Sequence, residues 1–189
     1  MKQFELLGLI VTLLDEASIP YMVVGSFAST FHGEPRMTRD IDLVVDPSTE
    51  SIGLVVERLY SLEEGRFYVG DAQTAVTNRD MFNVIDNATG WKLDLIVRKD
   101  RAFSQGELDR RVAAQLGGVD LFVSSAEDTV LAKLEWGKKS GSGRQFSDAV
   151  AVIGAQVLDR NYLEVWAKEL GVADLLDQAF IEARGSTGA

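Results

Sequence analysis

Apolar residues recur at three- and four-residue intervals at the start of the chain, at Phe4, Leu7, Ile10, Val11 and Leu14, which predicts a helix over residues 3 to 17 with one buried face. Ser18-Ile19-Pro20 ends it. Tyr21 to Val24 is a short β-rich run, and Gly25-Ser26 begins a turn into a short helix through Thr30 or Phe31. Gly33-Glu34-Pro35 breaks that helix, and Ile41 to Val45 is the next predicted strand. Pro47-Ser48 then opens a helix with Ile52, Val55, Val56 and Leu59 on its apolar side, stopping before Gly65.

Three strands are expected next, at Arg66 to Val69, Met81 to Ile85 and Trp91 to Val97, the last two joined as a hairpin by the turn formers of residues 86 to 90. Trp91, Leu93, Leu95 and Val97 alternate with Lys92, Asp94 and Ile96, which sets Asp94 on the face away from the large apolar side chains. A short helix is expected over residues 106 to 112, then a second hairpin from Ala113 to Val123 turning at Gly117-Gly118. From Ser125 the period is helical for good. Ser125-Ala126-Glu127-Asp128 resembles a capping box leading a helix to about Lys139, and Ser140-Gly141-Ser142-Gly143 is a joint. Further helices carry Phe146, Val150, Ile153 and Val157, then Tyr162 to Leu170 and Ala173 to Ala183, with Gly171 as a C-cap between the last two. The predicted class is α/β (α+β): a short mixed sheet flanked by helices over residues 1–124, then a helical region over residues 125–189, of which residues 185–189 are expected to be disordered.

Composition narrows the function classes. The chain has 189 residues, is 46% hydrophobic, and contains no apolar stretch near the ~18 residues a membrane span needs, so no membrane partner is expected. The apolar N-terminal segment lacks a basic leader and a small-residue cleavage site and fits an amphipathic helix better than a signal peptide. Absence of cysteine excludes a disulfide framework and thiolate metal sites, and is compatible with a cytoplasmic location. A formal charge of -10 argues against a broad nucleic-acid-coating surface and leaves room for a local basic groove.

The chemistry concentrates between Met22 and Asp46. Strand alternation projects Asp40 and Asp42 from one face, although aspartate is disfavoured in strands and like charges held together repel. A hard divalent cation with oxygen ligands resolves that repulsion, and Asp94 supplies a third carboxylate. Three aspartates can hold two Mg²⁺ ions, with Mn²⁺ as a substitute, against a triphosphate in an in-line phosphoryl or nucleotidyl transfer. Gly25-Ser26, at the end of a strand and the start of a helix, can seat a phosphate; it can equally be a plain N-capped turn. Asp94 read alone is also compatible with a solvated strand residue. Arg36 and Arg39, just ahead of the carboxylates, can neutralise a triphosphate or the aspartates.

Gly25-Ser26, a thirteen-residue spacer, Asp40-Ile41-Asp42 and a later strand-borne Asp94 resemble the signature of the DNA-polymerase-β-like nucleotidyltransferase superfamily. Within it, the segment from Arg36 to Val45 looks like small bacterial enzymes related to AbiEii-type toxins. The resemblance implies Mg²⁺-dependent transfer of NMP from an NTP to an acceptor, with Asp40, Asp42 and Asp94 as metal ligands and Asp94 also able to accept the acceptor's proton. It counts a helical lysine and a later aspartate with the active site; Lys133 and Asp148 occupy comparable places. The alternative for Lys133 is an exposed helical lysine, and for Asp148 an i,i+4 partner of Arg144. The resemblance also implies an antitoxin as a partner. The spacer is longer than in the minimal enzymes paired with HEPN toxins, and Phe27-Ala28-Ser29 replaces their Ala-Arg-Gly, which points away from that group. The acceptor is open between a tRNA 3′ end, a protein hydroxyl and a small molecule. A non-catalytic module that keeps the fold and binds a nucleotide or protein is the competing reading.

Overall fold

The computed structural model describes residues 2–35, 37, 38 and 40–186. In chain order these form α1 (Gln3–Glu16), β1 (Tyr21–Val24), α2 (Gly25–His32), β2 (Ile41–Val45), α3 (Thr49–Leu62), β3 (Phe67–Val69), α4 (Ala72–Asn78), β4 (Met81–Asp86) and β5 (Lys92–Val97). There follow α5 (Ala102–Asp109), β6 (Val112–Leu116), β7 (Val119–Val123), α6 (Ala126–Ser140), α7 (Gly143–Ala155), α8 (Arg160–Glu169) and α9 (Ala173–Ser186). Helix starts follow cap chemistry. The side chains of Ser48, Asp71, Ser125 and Asp159 accept hydrogen bonds from the backbone N–H groups of Ser51, Thr74, Asp128 and Tyr162, satisfying donors that a first helical turn leaves unpaired.

Contacts divide the chain into two compact units, Met1–Val23 with Arg39–Val123, and Val24–Thr38 with Ser124–Ala189. The sequence reading groups residues 1–124 as one core; among the described residues of that range, α2 packs with α6 and α7. Gln156 Nε2 donates to the His32 carbonyl at 2.7 Å and His32 Nε2 donates to the Ser124 carbonyl at 2.7 Å.

The first unit is built on a seven-stranded mixed sheet in the order β3-β4-β5-β2-β1-β7-β6. β2 runs parallel to β5 and β1 parallel to β7, while β3–β4, β4–β5 and β6–β7 are antiparallel. On one face of the central pair, Ile41, Leu43 and Val45 lie in register with Leu93, Leu95 and Val97, all buried. Leu6, Ile10 and Leu14 of α1 and Ile52 and Leu59 of α3 are fully buried in the same unit. Removing such side chains from water, at ~25 cal/mol per Å² of apolar area, drives this layer together. The opposite face carries Asp42 in register with Asp94, and Asp94 in turn pairs with Asn83 of β4.

Two elements depart from expectation. α4 is too short to show a helical period, and only Asp71 ahead of it marks the start. The expected helix over residues 106 to 112 lies earlier, at Ala102–Asp109, because Val112 is claimed by pairing with Val123.

In the second unit α2 packs on α6 and α7, and α7 on α9. Gly33 lets α2 end against α7: a Cβ there would lie 2.9 Å from the Ser29 carbonyl oxygen and 3.0 Å from the Val152 nitrogen. Of the tail expected to be disordered, Gly185 and Ser186 close α9, and residues 187–189 lie outside the described residues.

Candidate functional site

The site is built on the polar face of β2 and β5. Parallel pairing in register brings Asp42 and Asp94 side by side at the ~4.8 Å spacing of neighbouring strands. Asp40 sits one residue before β2, exposed, and Asp42 is half-buried. Asp94 is only 7% exposed, so it is not a solvated strand residue. Its two oxygens differ. Oδ2 accepts a 2.8 Å bond from the Lys92 ammonium, whereas Oδ1 is buried with no hydrogen-bond partner. Leaving a carboxylate oxygen dry and unpaired is costly, a cost usually borne for a ligand. Lys92 projects from the same strand face as Asp94, two residues away, and is held protonated above its ordinary range, first by the Asp94 hydrogen bond and further by the charges of Asp94, Asp40 and Asp42.

The far end of β2 is electrostatically closed. Asp46 takes Arg98 Nε at 2.9 Å and Arg79 Nη1 at 3.1 Å, so this carboxylate is spent on joining strand ends.

The remaining site residues of the sequence reading belong to the helical unit. Gly25 opens α2 with φ of +65°, a left-handed conformation that glycine adopts at little cost, directly after the extended Val24. Ser26 follows in the first turn, and its carbonyl accepts from Ser29 Oγ at 3.1 Å. Lys133 of α6 is 4% exposed, and its ammonium lies 2.7 Å from Asp148 Oδ2 of α7. Ser29 Oγ donates to the same oxygen at 3.3 Å, so a buried cluster ties α2, α6 and α7 together. Lys133 is thus not an exposed helical lysine, and Asp148 has an ion-pair partner on another helix. Arg36 and Arg39 lie outside the described residues.

Among the described residues no three His, Asp or Glu side chains form a ready-made metal cage. That does not disqualify Mg²⁺, which retains several waters and is commonly bound by one or two carboxylates together with substrate phosphates. The hard oxygen donors of Asp42 and Asp94, with the orphaned Oδ1, fit such an ion.

No family model matches the chain, and no curated protein matches it in sequence. Solved structures match over nearly its full length. A nucleotidyltransferase-like antigenic protein from Paracoccidioides brasiliensis superposes with a TM-score of 0.63 at 18% identity, covering 93% of this chain and 88% of that one. The antibiotic-resistance factor ANT(2'')-Ia gives 0.59 at 17% identity, covering 98% and 97%. The fold is that of the nucleotidyltransferases. A further structure with this nucleotidyltransferase fold, the lincosamide antibiotic adenylyltransferase LnuA with lincomycin bound, gives 0.52 at 15% identity, covering 82% and 99%. Among the described residues, no helix is long and apolar enough to cross a membrane.

Sequence reasoning overlooked Lys92 and Ser29. Lys92 was findable, because two residues apart on a strand means one face; Ser29 was not, since its partner Asp148 is 119 residues away.

Proposed function

We propose that the protein is a Mg²⁺-dependent nucleotidyltransferase that moves NMP from an NTP to an acceptor, as a relative of the AbiEii-type enzymes. The observation that carries this reading is the registered Asp42–Asp94 pair with its buried, unpartnered Asp94 Oδ1, on a sheet of nucleotidyltransferase fold. Asp40, Asp42 and Asp94 would hold the metal, two ions in the full site, with Mn²⁺ able to substitute. When bound, the metal neutralises triphosphate charge and acidifies the acceptor hydroxyl. The acceptor oxygen forms a bond to the α-phosphorus, the bond to the pyrophosphate oxygen breaks, and the acceptor's proton passes to Asp94. Gly25 and Ser26, at the N-terminal turn of α2, are assigned to phosphate, as are Arg36 and Arg39 by their charge and place in the sequence. Lys133 and Asp148, paired with each other and joined to α2 through Ser29, are assigned to the nucleotide side of the site, with Lys133 as a clamp on phosphate.

The acceptor is assigned to the set of RNA 3′ end, protein hydroxyl and small molecule. The likeness to an antibiotic-resistance factor and to a lincosamide antibiotic adenylyltransferase supports testing antibiotics as acceptors first. A toxin role with a cognate antitoxin rests on the AbiEii resemblance, and a cytoplasmic location on the absence of cysteine.

The test is binding of each NTP with and without Mg²⁺ to wild type and Asp42→Ala, followed by incubation with α-labelled NTP and the candidate acceptors. Metal-dependent binding that Asp42→Ala loses, with pyrophosphate release, is expected. Binding without turnover by any acceptor class favours the non-catalytic module, and equal binding by Asp42→Ala removes the carboxylates from the site.

A further inference from the structure

The carboxylate face already contains a cation of its own. Lys92 Nζ lies 2.8 Å from Asp94 Oδ2, with the lysine side chain 39% exposed and that of Asp94 10% exposed. Asp94 is in register with Asp42 on the adjoining strand, so the ammonium stands on the face that carries the residues assigned to the metal. The arrangement is asymmetric: one Asp94 oxygen is saturated by lysine, and the other is buried and empty-handed. Three aspartates gathered without a counter-charge would repel. Just past the end of the neighbouring β2 the same problem is met by two arginines, Arg98 Nε at 2.9 Å and Arg79 Nη1 at 3.1 Å, on opposite oxygens of Asp46. At Asp94 it is solved by a flexible, half-exposed lysine that makes a single contact and can swing into solvent.

We propose that Lys92 is a resident counter-cation that holds the carboxylate set together without metal and competes with the divalent ion for it. A divalent ion held by Asp94 Oδ1 would share one carboxylate with the ammonium on Oδ2, and like charges that close repel even in a partly aqueous dielectric. Lys92 therefore leaves Asp94 as the ion arrives, and its charge weakens metal binding. This inference rests on the metal reading of Asp40, Asp42 and Asp94.

The test is Mn²⁺ affinity, by calorimetry and by electron paramagnetic resonance of free Mn²⁺, for wild type, Lys92→Met and Lys92→Arg. Lys92→Met is expected to bind Mn²⁺ about tenfold more tightly. Lys92→Arg, which keeps the charge, should remain within about threefold of wild type. Metal-free Lys92→Met should also melt below wild type, with saturating Mn²⁺ closing the gap. Should Lys92→Met fail to fold, Lys92→Gln is measured by the same criteria. Wild type that binds Mn²⁺ with unchanged or weaker binding in the neutral variant overturns the role of Lys92 and leaves the metal reading standing. Absence of Mn²⁺ binding in both proteins overturns the metal reading and the inference with it.

Discussion

Asp42 and Asp94 stand opposite one another across the parallel β2–β5 pair, on the face away from the buried Ile41–Leu93 and Leu43–Leu95 pairs. Backbone register alone fixes this relationship, because both carboxylates are one step out of phase with the aliphatic residues that anchor the strands. A slip of one residue would turn the aspartates into the core, at a desolvation cost of several kcal/mol per charge, on the order expected for buried ions. The hydrophobic layer thus holds the acidic pair in place.

Asp94→Asn keeps the shape of the side chain and an acceptor for Lys92 while removing one negative charge. The Lys92–Asp94 pair is partly exposed, so its loss should cost no more than about 1 kcal/mol. The variant should fold, yet lose the stabilisation by MgATP that the proposed function expects of wild type, ~2.7 kcal/mol at a hundredfold excess over Kd. Differential scanning calorimetry with and without MgATP checks this; an undiminished stabilisation would take Asp94 out of the nucleotide site.

Lys133 and Asp148 form a buried pair, 4% and 8% exposed, and the two charges are stable only together. Lys133→Met alone removes the cation paired with a buried carboxylate and should cost ~3–5 kcal/mol. The double variant Lys133→Met with Asp148→Leu removes both charges and should recover most of that loss. Urea denaturation of the two variants decides it: a double variant no more stable than the single one would show that the pair is not self-contained.

Much of the sheet was legible because its strands alternate or form hairpins with close turns. Period-two spacing set Asp94 on the polar face, and the apolar runs marked β2 and β5 as strands. The Asp42–Asp94 register was not legible, since β2 and β5 are separated by α3, β3, α4 and β4, and nothing local states which strands meet. The expected strand Ile41–Val45 is the observed β2, and Asp40 sits one residue ahead of it. Residues 24–38 read as part of the first unit because they follow β1 directly. Their partners, Ser124, Asp148 and Gln156, are about 90 to 125 residues distant. Helical Lys133 could face water or protein by its spacing, and only the arrival of Asp148 from α7 decides between them.

His32 gives the helical unit a pH dependence. Burial pushes its imidazole below the ordinary value of 6.5, opposed by the hydrogen bond to the Ser124 carbonyl and by the charge of Glu127. The unfolded chain therefore takes up this proton at higher pH than the folded one. Stability from this group is complete above 6.5 and is lost as pH falls from there through the lowered folded value. His32→Gln, which can still donate to Ser124, should lack this component. Urea midpoints of both proteins, measured from about pH 8 down to about pH 5.5, should converge or cross as pH falls; a constant gap would show that His32 does not titrate differently on folding.

Gly33 separates two opposed effects of glycine replacement. Its φ of -119° lies outside the left-handed region, so Gly33→Ala carries no left-handed strain, and restriction of the unfolded chain favours alanine. Space decides the sign. The new Cβ would meet the Ser29 carbonyl oxygen at 2.9 Å, the Val152 nitrogen at 3.0 Å and the Ala151 carbonyl carbon at 3.1 Å, all backbone atoms of α2 and α7. None can swing aside as a side-chain tip would, so the helices must separate, at a cost of ~1–3 kcal/mol typical of overpacking. Gly154→Ala in α7 is the control, since nothing lies within 4 Å of its Cβ position and helix preference favours alanine by up to about 1 kcal/mol. Thermal unfolding should move down for Gly33→Ala and up for Gly154→Ala. A gain at both positions would show that α2 can lift from α7 without loss, and that the packing beneath Ser26 is looser than the contacts at Gly33 require.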